Sequence, residues 1–191
     1  MFEFLGINDQ KILLNIARSS IINHLAGVSQ EPILLSNYSE NLQALGASFV
    51  TLTTFTSHRL RGCIGALEAY QPLILDVRQH AISAATEDYR FRPIDLAEMD
   101  RIRIEISRLT PTQKLEYDNG EELLLKLFPG KDGVVLSDGY HRATFLPQVW
   151  EKVGTTESFL GQLCLKMGVD YDLWRKKKLD VSTYQVQEFS E

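Results

Sequence analysis

Between residues 8 and 27 apolar side chains recur at helical spacing, with Ile12, Leu13, Ile16, Ile21 and Leu25 forming one stripe. This predicts a helix that Asn8 caps and Gly27 ends from a C′ position. Residues 47–55 are rich in Val, Thr and Phe and read as a buried strand. Thr56-Ser57-His58 then reads as a turn, and residues 60–67 as a returning strand or tight loop. Pro72 opens a second helix, where its missing N–H costs nothing, and the apolar face of that helix ends near Asp88. Asp95 and Glu98 have capping-box spacing. From Arg101 to Leu109 the pattern alternates, with Ile102, Ile104 and Ile106 on one face and Arg103, Glu105 and Ser107 on the other. That is the mark of a half-buried antiparallel strand.

The second half repeats this mixture with shorter pieces. A helix over 121–128 closes at Pro129-Gly130, and Lys131-Asp132-Gly133 and Ser137-Asp138-Gly139 are hairpin-grade turns. They bracket a strand over 134–136, whose partner covers 140–146. Helices follow over 148–153 and 157–167, Asp170 caps the turn carrying Trp174, and residues 179–189 return as a single strand. Helices interleave irregularly with hairpins, and the regular βαβ alternation of a doubly wound sheet is missing. The expected class is α+β, an antiparallel sheet with flanking helices.

Composition narrows the functional classes. A chain of 191 residues with 44% apolar and 24% charged residues can bury a sizeable core without metals or disulfides. A net charge of −5 argues against a general nucleic-acid binder. Two cysteines, Cys63 and Cys164, fit a reducing compartment. The start lacks the pattern of a signal peptide and no window is apolar enough to span a membrane, so a cytoplasmic protein is expected. The sequence has no P-loop and no G-x-G-x-x-G or metal-binding spacing, so no cofactor or metal is expected.

The chemistry concentrates in Leu60-Arg61-Gly62-Cys63-Ile64-Gly65, preceded by His58 and Arg59. Two readings stand side by side. In one, Cys63 is a nucleophile, with arginines or a histidine favouring the thiolate and the amides of a glycine turn forming an anion nest. In the other, Cys63 is a small buried hydrophobe in a tight hairpin. A Cys-His-acid set can be written with His141 or His58 as base and Glu105 or Asp88 as the orienting carboxylate. The arginines at 59, 61, 90, 92, 101, 103 and 142 would suit phosphate or carboxylate if they converged, and are scattered ion-pair partners if they do not. His80, Cys164, Trp150 and Trp174 read as core.

These blocks also carry a resemblance. LRGCIG at 60–65 resembles the signature of the AMMECR domain family. In the same order, Asp88-Tyr89-Arg90-Phe91 is similar to the family's D-x-R-F segment, and Ile104-Glu105-Ile106-Ser107 with Leu109 to its strand ending in S-x-L. Ala143-Thr144-Phe145-Leu146-Pro147 is similar to its A-T-(F/Y)-L-P block. Phe159-Leu160, Cys164-Leu165-Lys166 and Trp174 resemble the prokaryotic branch. The similarity covers about residues 8–188, so the chain is expected to be a single domain over 1–191. The resemblance implies a larger and a smaller lobe around antiparallel sheet in one compact unit, a cleft at the LRGCIG motif, and no established activity. It makes Leu60, Arg61, Gly62, Cys63, Ile64 and Gly65 site residues, with Arg90 and Phe91 from the second block. His58 and His141 fall outside its motifs. It also implies Memo-type and radical SAM proteins as pathway neighbours. The expectation is a cleft that binds or reacts with a small or peptide-like anionic ligand through Cys63 and Arg61. The alternative is a binding module or adaptor in which the motif is structural.

Overall fold

The computed structural model describes residues 3–191. In chain order the elements are α1 (Ile7–Leu25), α2 (Glu40–Gln43), β1 (Leu45–Thr54), β2 (Leu60–Gly65), β3 (Gln71–Pro72), α3 (Leu73–Thr86), β4 (Ile102–Leu109) and β5 (Gln113–Lys114). There follow α4 (Gly120–Lys126), β6 (Gly133–Ser137), β7 (Arg142–Phe145), α5 (Trp150–Val153), α6 (Thr156–Met167), α7 (Leu173–Lys176), β8 (Asp180–Tyr184) and β9 (Val186–Ser190). The fold is α+β. The chain divides into two compact units, one formed by the described residues up to Leu109 with Gln187–Glu191, the other by Thr110–Val186. Among the described residues no helix is long and apolar enough to cross a membrane.

In the first unit a sheet runs β2-β1-β4-β9, all of it antiparallel where the registers are resolved, with β3 pairing the start of β1. Its inner face carries Val50, Leu52, Ile104 and Ile106, all fully buried, against Leu13, Ala17 and Ile21 of α1 and Ile74, Val77 and Ala81 of α3. Alternation in β4 therefore does what its sequence pattern says: isoleucines in, Arg103 and Glu105 on the other face. Gly27 holds φ +69 just beyond α1. Asn8 is no cap, because the helix begins one residue earlier with Gly6 at the N-cap, which offers no side chain. His80 is buried in α3 beside Asp76, whose carboxylate also accepts the Ser48 hydroxyl at 2.6 Å.

The second unit builds its own sheet, ordered β5-β8-β6-β7. Its core holds Trp150, Phe159, Leu163, Cys164 and Trp174, with the Trp150 and Phe159 rings stacked at 3.6 Å between centroids. The strand expected over 179–189 is two strands in two different sheets. The break falls at Gln185, whose carbonyl accepts Thr110 N–H and whose own N–H donates to Thr110 Oγ1, both at 2.8 Å. The burial of Val181 and then Tyr184 already breaks the odd-even alternation of a single strand.

Candidate functional site

The LRGCIG segment is the whole of β2, and β2 is the edge of its sheet. Neither glycine of the motif takes a positive φ. Both are there for close approach. A Cβ on Gly62 would collide with the Ala84 carbonyl oxygen near the end of α3, and one on Gly65 with the Phe49 ring and the Ser48 carbonyl. The motif is thus a strand pressed against a helix end, and the nest of amides expected from a glycine turn does not form.

Register decides how Cys63 is presented. Gly62 pairs with Leu52, Cys63 with Thr51 and Ile64 with Val50. The Thr51 hydroxyl donates to Cys63 Sγ at 3.3 Å, the cross-strand closeness of a pair whose backbone groups point outward. On an edge strand those outward groups would have no partner. Here Asp88 Oδ2 accepts the Cys63 N–H at 2.8 Å, and Arg90 Nη2 donates to the Cys63 carbonyl at 3.3 Å. Asp88 and Arg90 are joined through Nε–Oδ1 at 2.8 Å and Nη2–Oδ2 at 2.6 Å. The bidentate pair does the work of a neighbouring strand at one residue. The arginine, and then the backbone N–H groups of Cys63 and Arg90, hold the buried Asp88 carboxyl down to about 2. The Arg90 guanidinium lies 5.5 Å from the centroid of the half-buried Phe91 ring. Ile64 packs against the core, and Leu60 is exposed opposite Thr53.

Arg61 departs from its expected role. Leu52 pairs with Gly62 and Thr53 with Leu60, so Arg61 is the extra residue of a β-bulge, which re-aims its side chain. Its Nε donates to Glu98 Oε2 at 2.9 Å, Nη1 to the Arg92 carbonyl at 2.8 Å and Nη2 to the Pro93 carbonyl at 3.3 Å. Every guanidinium nitrogen is engaged, so Arg61 ties β2 to the 92–98 segment and is not a free anion clamp. Arg61 in turn lowers the Glu98 carboxyl from its ordinary value.

Glu105 lies on the outer face of the sheet. Thr51 stands between Cys63 on one side and Glu105 on the other, so the thiol and the carboxyl are two strands apart, roughly 10 Å. Burial and the neighbouring Glu188, to which it hydrogen-bonds, raise the Glu105 carboxyl. Among the described residues of the first unit no histidine hydrogen-bonds the Cys63 thiol, whose partner is Thr51. His58 is exposed in the β1–β2 turn, outside β2. His141 belongs to the second unit and takes Asp138 as its own partner at 3.1 Å. Asp88, written as an orienting carboxylate, holds the Cys63 backbone instead. Thr51 and Glu188 are not singled out in the sequence, and Glu98 only for its capping-box spacing to Asp95. Strand alternation could have placed Thr51 on the Cys63 face, whereas nothing local marks Glu188 or the pairing of Glu98 with Arg61.

The AMMECR1 family profile matches residues 14–189. The chain is 37% identical to Protein MJ0810 of Methanocaldococcus jannaschii, covering 99% of this chain and 93% of that protein. It is equally 37% identical to Protein MK0488 of Methanopyrus kandleri, covering 100% and 92%. A solved structure, the uncharacterized protein PH0010 from Pyrococcus horikoshii, superposes with a TM-score of 0.84 at 33% identity, covering 94% of this chain and 90% of that one. The overall fold is thus a shared one, and the chain belongs to the AMMECR1 family.

Proposed function

We propose that the outer face of the sheet around Cys63 is a ligand site, at which a small or peptide-like molecule binds beside the thiol or is attacked by it. The observation that carries this reading is the contrast between a fixed backbone and a side chain that is not fully buried. Asp88 and Arg90 pin Cys63 from both sides, while its side chain stays half-exposed beside the Thr51 hydroxyl. A nucleophile is useful when it is positioned and reachable together. Arg61, which ties β2 to the 92–98 segment, and Gly62 and Gly65, which let β2 approach α3 and β1 closely, act as positioning residues.

A second reading has its own support. The polar ties of Arg61, Asp88 and Arg90 are satisfied internally, as in a motif kept for shape, and the protein would then be a binding module or adaptor. Intact-mass screening with a panel of alkyl and carbonyl electrophiles separates the two. The thiol reading expects a single adduct on the native protein, absent from Cys63→Ser. An adduct that persists in Cys63→Ser, or none on the native protein, would leave the scaffold reading.

A further inference from the structure

A cleft of about 410 Å3 lies beside the β1–β2 turn, built entirely within the first unit. Three separate segments converge on it: the turn with Thr56 and Ser57, the loop with Arg92, and the end of a short 3-10 helix, Leu96–Arg101, with Arg101. Arg61, Asp95 and Glu98 also line it. Glu98 is neutralised by Arg61 and Arg92, and Asp95 accepts the Glu98 N–H at 3.0 Å. Three guanidiniums against two carboxylates leave one net positive charge facing the cleft. The surplus is chemically available: Arg92 spends one bond on Glu98, and the Arg101 guanidinium has no partner among the described residues.

The turn is held in advance. His58 sits at φ +50, a region that non-glycine residues seldom adopt. Its N–H donates to the Thr54 carbonyl at 2.9 Å, Thr54 Oγ1 bonds Ser57 Oγ at 2.6 Å, and Phe55 N–H donates to the Arg101 carbonyl at 2.7 Å. Strain kept in place by several bonds is common where a loop must present groups to a ligand. A planar carboxylate is satisfied by one guanidinium fork. Donors arriving from three segments, two of them hydroxyls, suit a tetrahedral anion instead.

We propose that this cleft binds a phosphoryl group, with Arg101 and Arg92 as its cations and Thr56 and Ser57 as hydroxyl donors. The site involves no chemistry at the thiol, so its failure would leave the reading of Cys63 untouched. Inorganic phosphate is the probe, titrated into the full chain at fixed ionic strength and followed by amide 1H–15N shifts, with sodium acetate and sodium chloride in parallel. Saturable shifts at residues 54–59 and Arg101 are expected with phosphate alone. Arg101→Ala, an exposed substitution, should weaken the response about tenfold while shifts elsewhere report an intact fold. Equal responses to phosphate and chloride would overturn the proposal. So would a saturable response to acetate, or phosphate binding unchanged in Arg101→Ala.

Discussion

The edge of β2 and the buried face of α6 each hold one cysteine, and the two could hardly be treated more differently. Cys164 is 0% exposed among Phe159, Leu160, Leu163 and Met167, and burial pushes its thiol up. Apart from a hydrogen bond with the Trp174 backbone, it is held by apolar packing of the kind that a residue of similar volume could supply. Cys63 is half-exposed, yet its backbone is fixed by a salt-bridged pair supplied by the Asp88–Arg90 segment. One position is specified by volume, the other by polar bonds to its main chain. Packing accounts for most of what surrounds Cys164; at Cys63 it leaves a side chain that is not fully buried unaccounted for.

The comparison breaks first at Gly62. Gly62→Ala forces a Cβ into the Ala84 carbonyl, a backbone atom that cannot step aside, and should cost about 3 kcal/mol in chemical denaturation. Cys164→Ala, which only shortens an apolar side chain, should cost less. If Gly62→Ala proves neutral, the close approach of β2 to α3 is not what the motif's first glycine is for.

Asp88→Asn comes next. It leaves Arg90 without its carboxylate and should cost about 2 kcal/mol near neutral pH. The folded carboxyl sits at about 2 and an unfolded one near 3.9. Its stabilisation is therefore complete above roughly pH 4 and fades as the pH falls toward 2. Denaturant midpoints of wild type and Asp88→Asn should converge over that window, and a constant gap down to pH 2 would contradict the clip.

The smallest effect is at Glu105, whose carboxyl is raised by burial and by Glu188. A raised carboxyl favours folding while protonated and loses that contribution as the pH rises through its folded value. Glu105→Gln should accordingly match wild type near pH 4 and exceed it by about 0.5 kcal/mol at pH 8, measured by thermal melts.

Much of this was legible in the sequence wherever a regular period met a buried face. β4 and α1 follow their apolar spacing closely, and Asp95 caps as its spacing to Glu98 implies. The LRGCIG segment stands out in the sequence, but its geometry could not be read from it. Its glycines suggested a turn because glycine serves both turns and close approach, and only the position of α3 separates the two. The bulge at Arg61 depends on a one-residue shift against Thr53, which no local pattern encodes. The partners Glu98 and Glu188 lie 37 and 83 positions from the residues they bond. The split of residues 179–189 between two sheets likewise depends on Thr110, far away in the chain.

The most direct test of a positioned, reachable thiol is native alkylation by iodoacetamide, with Cys63 and Cys164 followed in the same sample by peptide mass spectrometry. Cys164 can react only when the fold opens, so Cys63 should label faster by about two orders of magnitude or more, and the difference should vanish in denaturant. Comparable slow labelling of both in the folded protein would mean that Cys63 is packing after all, and would contradict the reading of β2 as a site.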